Sequence, residues 1–205
     1  TDYPPTRDLD SIFIDLILEC ENNKSKFSYS VVEQFLTHKT RYSTDDVFKE
    51  KLNGDIYSEN PGIARYILCK IEELEQTKET MTDLWAYDEN DRYIWTIEHI
   101  LPEGSNIPKD WINMIGDGDK EKTITIFNTW VHKLGNLTIT GYNSKLSNMS
   151  FDRKRERTDN KGNYVGYRNG LKLNENISKL EKWTEIEIKE RHHELTGKAF
   201  KIFSV

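Results

Sequence analysis

The chain reads as a mainly helical α+β protein in which a short strand–strand–helix unit interrupts a series of amphipathic helices. Three observations predict this. Apolar residues recur at helical spacing through the first 90 positions. The period then changes to alternation over 93–100 and again over 136–139. After the second alternating stretch, residues 143–154 are rich in Asn and basic residues and open with side chains that cap helices. The expected organisation is a helical subdomain over 1–90, a core over 91–160, and a C-terminal loop with a closing helix over 161–205.

In order, Leu9, Ile12, Leu16 and Ile17 predict a first helix over 9–19, with Asp8 or Asp10 as its cap. Val31, Val32, Phe35 and Leu36 predict a second over 29–40. Ser43, Thr44, Asp45 and Asp46 open a third, which Leu52-Asn53-Gly54 closes. Pro61 starts a fourth, over 62–78, with Ile63, Tyr66, Ile67, Ile71 and Leu74 as its apolar stripe. These stripes are read as core, and no site chemistry is expected before residue 90.

In the first strand, Tyr93, Trp95, Ile97 and His99 take one face, and Ile94, Thr96, Glu98 and Ile100 take the other. Pro102 removes a ladder donor and ends it. Residues 103–122, with Pro108 and three glycines, read as a long loop. Phe127, Trp130, Val131 and Leu134 have helical spacing, although Ile124-Thr125-Ile126 also suits a strand. Gly135 breaks that element, and Leu137 and Ile139 alternate with Asn136 and Thr138 as the second strand. Gly141-Tyr142 turns the chain, and Asn143 or Ser144 caps the next helix. A loop follows over 159–170. Ile177, Leu180, Trp183, Ile186 or Ile188, and Leu195 predict a closing helix over 177–195.

Composition narrows the class. Charged residues make up 31%, yet five Trp, ten Tyr and eight Phe argue for a folded chain. No run of eighteen apolar residues exists to span a membrane. No basic and apolar leader is visible, and a start at Thr1 suggests a piece of something longer. Cys20 and Cys69, far apart in apolar patterns, are read as free thiols suited to a reducing cytoplasm. Without a C-x-x-C pair, a structural zinc knuckle is excluded unless His residues supply nearly all the ligands. The net charge of −6 is unevenly spread: residues 145–172 hold eight Lys and Arg against three Asp and Glu. Such asymmetry permits a polyanionic partner.

The candidate chemistry lies in the central segment. His99 on a strand is a rigid imidazole, the usual base near neutral pH. Glu98 precedes it, and a strand end bent at Pro102 can bring that carboxylate round to a cation. Asn136 can hydrogen-bond the imidazole or its backbone without competing for the proton. Asn143 and Asn148 offer neutral oxygen ligands for a hard ion of the Mg²⁺ or Mn²⁺ type. Lys145, Arg153, Lys154, Arg155 and Arg157 are expected to face phosphates. His132 is a secondary candidate, four residues before Asn136. His, Asn and Asn in that order on strand, strand and helix is the layout of a one-metal nuclease site. A DNA-binding or regulatory module and a purely structural helical domain are the competing readings.

The strings Thr96-Ile-Glu-His-Ile-Leu-Pro102, His132-Lys-Leu-Gly-Asn-Leu-Thr-Ile139 and Asn143-Ser-Lys-Leu-Ser-Asn148, with Phe151 and Lys154, carry a family resemblance. Together they resemble the C-terminal HNH nuclease domain of GmrSD-type modification-dependent restriction endonucleases. The likeness extends over most of 55–205. It implies a ββα-metal (His-Me finger) nuclease core embedded in a helical domain, cutting DNA with a divalent ion. His99 matches the general base, Glu98 the metal-ligand position and Asn136 the orienting asparagine. Asn143, or Asn148 close behind it, matches the helix ligand. The resemblance also implies a bacterial cytoplasmic defence protein acting on foreign, often modified, DNA. Family members carry an N-terminal nucleotide-hydrolysing domain with a D-G-Q-Q-R-type motif. These 205 residues lack that motif, so a partner domain or subunit is expected elsewhere.

Overall fold

The computed structural model describes residues 6–22, 28–37 and 44–204, without the side chains of residues 6, 7, 144 and 145. The chain divides into two compact units, Thr1–Lys51 with Ser204–Val205, and Leu52–Phe203. In the first unit lie α1 (Thr6–Asn22) and α2 (Tyr29–Leu36); α3 (Asp45–Asn53) runs across the division. The expected start of α3 at Ser43 and the end of the α2 pattern at Thr40 lie outside the described residues. Of the α1 stripe expected as core, Leu9 and Ile17 are exposed, whereas Ile12 and Leu16 are half-buried.

The second unit begins at Leu52, and α4 (Ile56–Glu59) and α5 (Pro61–Glu75) fall within it together with the strands. Asn60 caps α5 by accepting from Ile63 N at 3.0 Å, with Pro61 at the first turn. Ala64, Ile67, Leu68 and Ile71 form its buried face, whereas Tyr66 and Leu74 of the expected stripe point outward. Two buried charges tie α5 inward. Arg65 donates to the carbonyls of Trp95 (2.9 Å) and Leu84 (2.5 Å). Glu72 accepts from the backbone of Lys172 and Leu173 at 2.9 and 2.7 Å, which starts the short α10 (Lys172–Glu175, counted with the helices below). A buried ion that satisfies main-chain groups organises a fold more than it drives it.

Strand β1 (Thr96–His99) pairs antiparallel with β2 (Leu137–Thr140), Glu98 opposite Thr138 and His99 opposite Leu137. Two strands alone are marginal in water and need a packed cover. Helices α8 (Asn143–Leu146) and α9 (Phe151–Arg155) follow β2, completing the expected strand–strand–helix order. A core of Ile100, Leu101, Trp111, Phe151, Trp183 and Ile188 seals one side.

Two expectations are corrected. Residues 103–122 are not a plain loop: α6 (Lys109–Gly116) lies within them, burying Trp111 and Ile115 four residues apart. Pro108 precedes this helix, and Asp117 ends it in the left-handed region at φ 56°. Asp119 then caps α7 (Lys120–Trp130) by accepting from Glu121 N and Lys122 N, which resolves 124–126 as helix. The closing helix α11 runs Glu185–Phe203 instead of 177–195. Thr184 and Glu187 form a capping box there: the Glu187 carboxylate accepts from Thr184 N at 2.8 Å and from its hydroxyl. Among the described residues no helix is long and apolar enough to cross a membrane.

Candidate active site

The site is built where β1 ends. Asn136, fully buried in the single 3₁₀ turn before β2, accepts from Leu101 N at 2.8 Å and donates to Leu101 O and Val131 O at 3.0 Å each. Its carbonyl side-chain oxygen also takes Trp183 Nε1 at 3.2 Å, and its main-chain oxygen takes Ile100 N at 2.9 Å. Asn136 therefore does not touch the imidazole of His99. It fixes the backbone one and two residues beyond it. Gly135 is required beside it, because a Cβ there would lie 2.5 Å from Ile188 O and 2.6 Å from His192 Cβ. Arg191 from the same helix donates to Gly135 O and Leu137 O at 2.8 and 2.7 Å, holding the entry to β2.

Glu98 and Lys154 face each other inside the protein, 2% and 0% exposed, with Nζ 2.5 Å from Oε1. Lys154 also donates to the carbonyls of His99 (2.7 Å) and Ile100 (3.2 Å). Burial raises the Glu98 carboxyl and lowers the Lys154 ammonium, and each partner's charge opposes that shift. Lys154, expected to meet phosphates, is thus an interior cation. Glu98, expected as a metal ligand, is engaged by it.

His99 projects to a different neighbourhood. Its Nδ1 stands 3.7 Å from Glu103 Oε2, while its Nε2 is buried with no hydrogen-bond partner. The ring meets Tyr57 edge-on at 4.5 Å and His132 at 5.5 Å. Tyr57 stacks on His132 at 5.6 Å, and its amide donates to His132 O at 3.2 Å, so α4 is fastened to the turn after α7. The Nδ1 of His132 is likewise buried and unpartnered. Burial, with the neighbouring His132 and Lys154, pushes the His99 pKa down to about 3 and keeps the ring neutral. Among the described residues, ligand atoms of His99, Glu103 and His132 all lie within 4.8 Å of one another.

Asn143 is exposed and donates to Ile97 O at 2.6 Å. Asn148 is exposed beside Gly104. Glu98 is paired with Lys154, Asn143 is bonded to the carbonyl of Ile97, and the Asn148 amide lies beside Gly104, the residue after Glu103. Arg155 lies against Leu180 O, Asp152 and Glu156. Arg153 is exposed, and the half-buried Arg157 has an unpartnered Nε. The Lys145 side chain lies outside the described residues.

Among the described His, Cys, Asp and Glu side chains, His99, Glu103 and His132 form a donor set that a divalent ion fits, with His99 Nε2 and His132 Nδ1 desolvated and unsatisfied. Two of the contributors, Glu103 and Tyr57, were not anticipated from the sequence. Glu103 carried one signal, its place four residues after His99 just past Pro102. Tyr57 carried none, since only the tertiary fold brings α4 to the strand exit. Residues 42–198 match the family described as GmrSD restriction endonucleases, C-terminal domain. No curated protein matches the chain.

Proposed function

The chain belongs to the C-terminal domain family of GmrSD restriction endonucleases, and from that premise we propose that it is a metal-dependent DNA endonuclease of the HNH type with His99 as its base. The observation that carries this reading is the meeting of His99, Glu103 and His132 at the end of β1, with His99 Nε2 and His132 Nδ1 buried and unpartnered.

A carboxylate facing Nδ1 favours the tautomer that carries its proton there and leaves the Nε2 lone pair free. That lone pair can accept the proton of an attacking water. A base held near 3 is weak; the negative charge of an incoming phosphate raises it, and a dication bound beside it would oppose that rise. An imidazole cannot ligate an ion and take a proton through the same nitrogen. The roles therefore divide: His99 moves the proton, and Glu103 with His132 would hold the ion. When bound, that ion supplies Lewis acidity to the phosphoryl group and the departing oxygen. One imidazole nitrogen and one carboxylate oxygen suit Mn²⁺ better than Mg²⁺, which prefers oxygen throughout. Arg153 and Arg157 would meet the DNA backbone. The substrate proposed is foreign or modified DNA, delivered with the help of a nucleotide-hydrolysing partner domain or subunit.

The test is plasmid DNA with Mn²⁺, Mg²⁺ or neither, comparing the unaltered chain with His99→Ala. Loss of the base should slow cutting by roughly 10²–10⁴-fold. Equal cutting by both sinks the assignment of His99. Retention of DNA without cutting under any ion favours a binding module instead.

A further inference from the structure

Lys154 has a role that an ordinary ion pair does not fill. Its side chain is 0% exposed, and its three contacts are all oxygen acceptors: Glu98 Oε1, His99 O and Ile100 O. An ammonium has three N–H donors and no acceptor, so donors and acceptors match one for one. One carboxylate with two successive main-chain carbonyls is also the kind of oxygen cage that holds a bare cation.

The root of the side chain is fixed as firmly as its tip. Tyr167 N donates to Lys154 O at 3.3 Å, and a Cβ on Gly166 would lie 1.8 Å from that same oxygen, so the loop backbone lies flat against α9. The two caged carbonyls belong to the two successive peptides that lead out of His99. On the other side Asn136 holds the amides of Ile100 and Leu101 and the Leu101 carbonyl. Lys154 through its ammonium, and Asn136 through its amide side chain and its main-chain oxygen, thus hold the main-chain groups of the strand exit that carries the His99 ring. A plain ion pair needs only the carboxylate, and replacing one by apolar groups is often harmless. Here replacement would also leave two carbonyls without a partner.

We propose that Lys154 is the resident cation of an internal oxygen site, that it positions His99 through the His99 and Ile100 carbonyls, and that its removal opens this site to a small external alkylammonium ion. The proposal does not depend on the nuclease reading, and neither do its readouts.

In the unaltered protein, Lys154 should give a protonated, slowly exchanging ammonium resonance in ¹⁵N NMR; a rapidly exchanging one overturns the three-donor cage. Lys154→Ala removes three methylenes and the ammonium, which n-propylammonium supplies. That variant should melt several degrees lower, with displaced His99 ring resonances. Added n-propylammonium should restore both in a saturable way, while n-propanol, which lacks the charge, should restore neither. No response to n-propylammonium, or an equal response to n-propanol, refutes the cation site. A double variant, Glu98→Gln with Lys154→Met, removes both charges at similar volume and guards against simple misfolding. It should remain folded with His99 resonances displaced. Ring resonances unchanged from the parent would reduce Lys154 to a charge partner and end the positioning role.

Discussion

Replacing Asn136 by Asp exchanges one group, NH₂ for O, and abolishes two hydrogen bonds. In the native site the amide oxygen accepts from Leu101 N and Trp183 Nε1, while the amide nitrogen donates to Leu101 O and Val131 O. An aspartate keeps both acceptances but turns a lone pair toward each of the two carbonyls. Each lost, buried contact costs about 1–3 kcal/mol, less for a carbonyl that retains another partner. The expected loss is about 4 kcal/mol, a large share of a typical 5–15 kcal/mol stability. At roughly 2–4 °C per kcal/mol for a unit of this size, the melting midpoint should drop by about 10 °C.

The carboxyl should protonate more readily in the folded state, because its neutral form can donate once to a carbonyl. Its folded pKa is then raised above the unfolded value. The variant should recover stability as pH falls below that raised pKa, and lose it again as pH rises through it. Urea unfolding of Asn136→Asp, Asn136→Ala and the parent between pH 5 and pH 8 measures both effects (the pH range being roughly that of ordinary maximal stability). Asn136→Ala should lose comparable stability without that recovery. If Asn136→Asp stays within about 1 kcal/mol of the parent at neutral pH, Asn136 is not the clamp of the strand exit.

Two other predictions rest on the same region. His192 accepts from Gly135 N at 3.3 Å, and burial holds its pKa down to about 4. The unfolded chain therefore binds a proton below the ordinary value of about 6.5 that the folded chain refuses until near 4. Stability should fall as pH drops through that window, by at most roughly 3 kcal/mol from this residue, and His192→Gln should flatten that part of the profile in calorimetry. Gly135→Ala places a methyl 2.5 Å from Ile188 O, so α11 must shift; a loss of about 1–3 kcal/mol is expected in denaturant melts, and an unchanged midpoint would mean that this close approach is looser than drawn.

Much of this architecture was legible in local pattern. The change from helical period to alternation marks both strands, and Gly135-Asn136 marks the turn that enters β2. What stayed hidden depended on tertiary context. Lys154 sits in a basic run and reads as a solvated cation. The clue to its burial is Phe151 three residues earlier, which puts both side chains on one face of α9. Glu98, already on the opposite strand face from His99, reads as a ligand only if the bend at Pro102 brings it round; its pairing with Lys154, 56 residues on, is a tertiary contact that no local pattern reports. Helix α6 escaped because Pro108, Gly116 and Gly118 read as loop, although Trp111 and Ile115 already have helical spacing. Tyr57 reaches His99 across more than forty residues of chain, which no local signal reports.

The division of labour at the strand exit is tested most directly by measuring ion binding and DNA cutting on the same variants. Co²⁺ is a suitable probe, since its visible spectrum reports nitrogen and oxygen ligation without requiring turnover. The account predicts that the unaltered chain gives one saturable Co²⁺ spectrum, that His132→Ala and Glu103→Gln lose it, and that His99→Ala retains it while losing cleavage. If His99→Ala abolishes Co²⁺ binding, or if His132→Ala and Glu103→Gln leave the spectrum unchanged, the assignment of proton transfer to His99 and of the ion to Glu103 and His132 is contradicted.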